Sequence, residues 1–65
     1  MNYFISMIRK EDGFDWCIME STDYDYISRV FEDMVKPPEY NIELRATEED
    51  IDTYLSYEVL RYDRS

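Results

Sequence analysis

Ile27, Val30, Phe31 and Met34 fall at positions i, i+3, i+4 and i+7, and Pro37-Pro38 follows closely behind them. This spacing puts four apolar side chains on one face of an α-helix. The prolines stop it, because neither ring nitrogen can donate to the preceding turn and Pro38 pushes Pro37 out of helical geometry. The expected helix covers residues 25–35, with N-cap oxygens available in Ser21-Thr22-Asp23. Its polar face sets Asp25 against Arg29 and Glu32 against Lys36 at i, i+4 spacing. A single helix with one apolar stripe must bury that stripe on something else. In a chain of 65 residues, one domain spanning 1–65 is all that can be built, and its core is small. Phe4, Phe14, Trp16, Phe31 and the tyrosines enlarge what can be buried, at roughly 150–250 Å² per ring.

The remaining segments read as strands. Residues 3–10 are apolar on both alternating sets (Tyr3, Ile5, Met7 and Phe4, Ile8), the pattern of a central strand covered on both faces. Asp12-Gly13 suits a tight hairpin turn, and residues 14–20 then alternate Phe14, Trp16, Ile18 against Asp15, Cys17, Met19. Residues 39–46 set Tyr40, Ile42, Leu44 and Ala46 on one side and Asn41, Glu43 and Arg45 on a solvated side. A crossover through the helix places this strand parallel to the second, with the first between them, in the order 2-1-3. Residues 47–62 admit two readings. Thr47-Glu48-Glu49-Asp50 is a good helix start, and Ile51, Tyr54, Leu55, Val59 and Tyr62 continue a helical stripe. Residues 54–62 are also aromatic and β-branched enough for a fourth strand after one helical turn. The helix is the preferred reading, and the fold class is α+β.

Sixteen Asp and Glu face seven Lys and Arg, for a formal net charge of -9 with no histidine. Such a chain repels nucleic acid and anionic lipid, so direct nucleic-acid binding is not expected and a basic protein surface is the expected partner. The longest apolar run, Trp16-Cys17-Ile18-Met19, is far short of the ~20 residues that span a bilayer. Arg9 and Lys10 follow the apolar N-terminal run, the reverse of a signal peptide, and the single Cys17 has no partner for an internal disulfide. A cytoplasmic location is expected. Without histidine the chain lacks the commonest general base, and Cys17 has no activating neighbour in the sequence and reads as a small buried apolar residue. The carboxylate pairs Asp23/Asp25 and Asp50/Asp52 lack the glycine and third acid of a calcium loop. Neither enzymatic activity nor a metal or cofactor is expected.

Glu48, Glu49, Asp50 and Asp52 form the densest cluster of charge. On a helix, Glu48 and Asp52 would share one face about 6 Å apart along the axis. Duplex DNA carries one negative charge per ~1.7 Å of axis, so carboxylates a few ångströms apart can occupy a site built for phosphates. Acids also favour a helix N-terminus and keep a small protein soluble. Acids coincide with tyrosines in Asp23-Tyr24-Asp25-Tyr26, Glu39-Tyr40, Tyr57-Glu58 and Tyr62-Asp63, and tyrosine beside a carboxylate suits contact with Arg or Lys. Tyr40 and Tyr54 lie on apolar faces and are expected inside. Tyr26 and Tyr57 fall off the stripes. The candidate partner-binding set is Glu48, Glu49, Asp50, Asp52, Asp23, Asp25, Tyr26 and Tyr57.

In size, charge and layout, with a hairpin, one amphipathic helix and the return strand Tyr40-Asn41-Ile42-Glu43-Leu44, the chain resembles very small acidic phage-encoded inhibitors. These include anti-CRISPR proteins and phage inhibitors of host RNA polymerase. The small epsilon subunit of Gram-positive RNA polymerase has a similar order of elements. The resemblance implies a non-enzymatic protein of the host cytosol that binds a nucleic-acid enzyme or ribonucleoprotein complex and blocks its nucleic-acid channel. The alternative is a structural or regulatory subunit, or a homodimer, that packs through its tyrosines without competing with nucleic acid.

Overall fold

A computed structural model describes residues 1–64 as one four-stranded antiparallel sheet and one helix. The elements run β1 (Asn2–Arg9), β2 (Asp15–Ser21), α1 (Tyr24–Asp33), β3 (Tyr40–Thr47) and β4 (Glu58–Arg64). The strand order is β2-β1-β3-β4. β2 and β3 are each antiparallel to β1 and therefore parallel to one another, as the crossover through the helix requires. The expected order 2-1-3 holds, with β4 added at the β3 edge.

Residues 10–14 join β1 to β2, and the turn is wider than the two-residue Asp-Gly hairpin expected. Arg9 and Phe14 close it through Arg9 N–H to Phe14 O at 2.8 Å, and Gly13 N–H returns to Arg9 O at 2.7 Å. Gly13 has φ of 75°, a conformation in which only glycine is unstrained, so the positive φ is confined to this one position. Asp12 fixes the turn by accepting from the Arg9 guanidinium at 2.6 Å and from the Phe14 amide at 3.0 Å. Ile18 is an extra residue in β2, since Ile5 and Ser6 face Met19 and Cys17. This bulge breaks the clean alternation read from the sequence and leaves Ile18 on the surface.

α1 starts one residue earlier and ends two residues earlier than the stripe suggests. Asp23 is the N-cap, its carboxylate accepting from Tyr26 N–H at 3.2 Å, and Met34 turns out into an extended conformation before the prolines. Ile27 and Phe31 pack with Ile5, Ile42 and Leu44 into the main core, flanked by Val30, Met34, Met7, Met19, Tyr3 and Tyr40. The expected Glu32–Lys36 pair does not form. Glu32 bonds Arg61 of β4 at 2.8 Å, and the Lys36 ammonium satisfies the terminal helix carbonyls of Phe31 and Glu32. Among the described residues no Asp25–Arg29 bridge forms either. Among the described residues no helix is long and apolar enough to cross a membrane.

The preferred C-terminal helix is absent. Residues 48–57 form an irregular loop with one turn, closed by Thr53 N–H to Asp50 O at 3.1 Å, and the chain then enters β4. The physical reason is the second face of the sheet. Phe4 and Ser6 of β1 and Arg45 and Thr47 of β3 lie there, all buried, although α1 covers the opposite side. A helix over 47–62 would have left either this face or the outer edge of β3 open. The turn-plus-strand form covers both, at the cost of exposing Leu55, which is 94% accessible.

Candidate functional site

The 48–57 loop is held by its own polar groups. Thr47 Oγ1 donates to Ser56 O at 2.9 Å and accepts from Glu49 N–H at 3.1 Å, while Asn2 Nδ2 donates to Glu49 O at 2.7 Å. The Glu49 carboxylate accepts from the amides of Leu55 and Ser56 at 3.2–3.3 Å and from the Ser56 hydroxyl at 3.2 Å. Glu49 is thus the residue that closes the loop, and its charge is directed inward. Tyr54 and Tyr57 are carried by this loop onto Phe4, with ring centres 5.0 and 6.2 Å away and 5.7 Å from each other.

Beside these rings lies Arg45, which the strand alternation puts on a solvated side but which is only 2% exposed. Its guanidinium holds Asp15 through two bonds (3.2 and 2.8 Å), Glu43 at 2.7 Å and Ser6 Oγ at 3.2 Å, and it stands 4.2 Å from the centre of the Tyr57 ring. Burial alone would lower its pKa. The hydrogen bonds and charges of Asp15 and Glu43 outweigh that and raise it, so Arg45 stays charged throughout the accessible pH range. Among the described residues no buried side-chain nitrogen or oxygen lacks a partner.

The topology sorts charge toward one end of the sheet. β1 begins, β2 ends, α1 begins, β3 ends and β4 begins at that end, and the 48–57 loop closes over it. Glu20, Asp23, Asp25, Glu48, Glu49, Asp50, Asp52 and Glu58 are all there: eight of the sixteen acids. Among the described Lys and Arg, Arg45 reaches the same cross-strand row as Glu20, and its guanidinium is held by Asp15 and Glu43. The other eight acids, which include the Asp15 and Glu43 that hold Arg45, are nearly balanced by the seven Lys and Arg. The net charge of -9 therefore resides almost wholly at this end. Glu20, Asp50 and Asp52 line one open cleft together with Asn2, Ile51 and Thr53.

Of the eight residues singled out from sequence, Glu48, Glu49, Asp50, Asp52, Asp23, Asp25 and Tyr57 are brought to the acidic end. Glu48 and Asp52 do not share a helical face, because no helix forms there; they belong to a loop. Glu49 and Asp23 use their carboxylates in loop closure and helix capping, whereas Glu48, Asp50, Asp52 and Asp25 are exposed and do neither. Tyr57 is 45% exposed, its inner portion packed on Arg45 and Phe4. Tyr26 is 53% exposed further along α1, beside Arg29, Asp33 and Met34. Glu20 and Glu58 join the site only through the strand pairing, Glu20 opposite Phe4 and Glu58 opposite Ala46, so a linear reading misses them.

Cys17, expected to be buried, is exposed on the β2 edge. Partial desolvation and the nearby carboxylates of Glu20 and Asp52 raise its thiol pKa, the opposite of what activates a nucleophile. Among the described residues no group of three or more Cys, Asp or Glu side chains converges in a way that would hold a metal ion. No protein-family model, curated protein or solved structure matches the chain.

Proposed function

We propose that this is a non-enzymatic binding protein that presents its acidic end to the basic nucleic-acid site of an enzyme or ribonucleoprotein complex and excludes nucleic acid from it. Counter-defence or host takeover by a phage, acting in the host cytosol, is the setting in which such a protein would serve. One observation carries the reading: the uncompensated charge is gathered at one end and not spread evenly over the surface. Solubility alone asks only for net charge, with signs interspersed. A concentrated field of one sign steers encounter with a surface of the opposite sign.

The test is a competition assay against nucleic-acid-binding enzymes, with the variant Glu48→Lys/Asp50→Lys/Asp52→Lys as comparison. Glu49 is left intact because its carboxylate closes the loop. The wild-type chain is expected to inhibit a target and to be displaced by DNA or RNA. The triple variant, folded by circular dichroism, should associate more slowly, with a shallower salt dependence. Inhibition that is indifferent to salt and to these three substitutions would instead select a subunit that binds through its tyrosines.

A further inference from the structure

β4 is an edge strand: β3 lies on one side of it and no described strand on the other. Its charges differ from those of the opposite edge. β2 carries Asp15 and Glu20 with no basic residue, and its far end faces Asp50 and Asp52 across a cleft. β4 carries charges of both signs, with Arg61 and Asp63 on one face beyond Glu58. Val59 and Tyr62 stand on its second face, 41% and 59% exposed, in line with Tyr57 on the preceding loop. An open backbone edge with apolar side chains and charges of both signs is a template for another strand.

We infer that this edge pairs with β4 of a second copy of the chain, antiparallel about a two-fold axis, joining two sheets into one of eight strands. The register follows from the side chains. Arg61 and Asp63 lie on the helix-covered face, opposite Leu44 and Ile42 of β3, and Tyr62 lies on the other face, opposite Glu43. With Tyr62 opposite its own copy, Arg61 of each chain faces Asp63 of the other, so two contacts of opposite charge form by symmetry. The two tyrosine rings meet on the open face. The bulge at Leu60 confines regular pairing to the part of β4 beyond it and keeps the contact short.

The charge distribution selects this copy and this orientation. A parallel arrangement would set two acidic ends side by side. The antiparallel one sends them to opposite ends of an assembly in which a single eight-residue strand already spans ~26 Å, several times the ~8 Å screening length at physiological ionic strength. The pair thereby presents two acidic ends facing away from each other. If the proposed function holds, such a pair engages two target sites, or two copies of a target, at once.

Sedimentation equilibrium of the purified chain alone tests the inference without any target. The expected result is a concentration-dependent rise from the 8.0 kDa of one chain toward twice that mass. Asp63→Arg should weaken the dimer about tenfold, because two symmetry-related contacts change from attraction to repulsion. Asp63→Asn, which removes the attraction without adding repulsion and leaves the Arg61–Glu32 bond in place, should weaken it less. Tyr62→Lys, at an exposed position outside the core, should give a folded monomer. A wild-type chain that stays monomeric to millimolar concentration overturns the inference, as does a dimer that all these variants leave unchanged. Neither outcome bears on whether the acidic end binds a basic partner.

Discussion

The two faces of the sheet are closed by different means. On one, α1 lays Ile27 and Phe31 onto Ile5, Ile42 and Leu44, a contact made of aliphatic and aromatic carbon. On the other, the 48–57 loop lays Tyr54 and Tyr57 onto Phe4, and the space beside them is filled by the charged group of Arg45 with Asp15, Glu43 and Ser6. Area carries the first face, and loss is graded by how much carbon is removed. A bonded network carries the second, and removal of one member leaves the others without partners.

Truncation in the helix-covered face should have the largest effect. Phe31→Ala removes the ring that packs between α1 and the sheet and that also has Lys36 Nζ and Arg61 Cζ at 4.9 and 5.1 Å from its centre. The expected cost is ~3–5 kcal/mol, enough to unfold a domain of this size, and urea or thermal unfolding reads it directly. A variant that keeps the wild-type midpoint would remove Phe31 from the core.

Arg45→Met should follow at about 2–3 kcal/mol. This is below the 3–5 kcal/mol of a fully buried pair, because Asp15 and Glu43 keep part of their side chains in water. A double variant that also carries Asp15→Asn should recover some of the loss, since it removes one of the carboxylates left without a cation. If the two losses simply add, the network reading of the second face fails.

Glu49→Ala should cost about 1–2 kcal/mol by leaving the Leu55 and Ser56 amides without their acceptor. Its effect should be local. Amide exchange is expected to quicken in residues 48–57 while the core of β1 keeps its protection, whereas Phe31→Ala should lower protection everywhere. Uniform acceleration in the Glu49 variant would mean that the loop and the core open together.

The smallest effect is expected at the hairpin turn. The Arg9 guanidinium, with help from the Phe14 amide, holds the Asp12 carboxyl at about 2, below its ordinary 3.8. A carboxyl depressed in this way stabilises the folded turn fully above the ordinary value, and the contribution is lost as pH falls from about 4 through about 2. Chemical shifts of the Gly13 and Phe14 amides, followed down that range, should titrate with the low midpoint, and Asp12→Asn should abolish the step. A midpoint near 3.8 would show that Arg9 does not hold the turn in solution.

The helix-covered face was legible in the sequence because periodicity alone defines it: Ile27, Val30, Phe31 and Met34 at helical spacing, Ile42 and Leu44 at strand spacing. The loop-covered face was legible only as a requirement. Phe4 and Ile8 on the second side of β1 call for a cover, but nothing periodic in residues 48–57 announces one. Tyr54, Leu55, Val59 and Tyr62 fit a helical stripe as well as a strand, and the choice between them is made by the open edge of β3 and the bare ring of Phe4, which are tertiary facts. Arg45 was misplaced for a similar reason. Strand alternation assigns a side and not a depth, and its burial depends on Asp15, thirty positions away. The acidic end became visible only once the topology had carried Glu20, Asp25 and Glu58 to the cluster already evident at 48–52.

The central position of β1 has a kinetic consequence. Its bonds to β2 close over a short turn, but its bonds to β3 join Asn2 to Thr47, across the hairpin, the helix and the prolines. The hairpin and the helix can form within microseconds from residues near in sequence, whereas the β1–β3 ladder must first close a long loop before any of its bonds reward the search. β4 pairs with β3 across the ten-residue 48–57 loop, so this second hairpin can also form from residues near in sequence before the ladder closes. The chain should therefore spend its folding time waiting for β3 to reach β1.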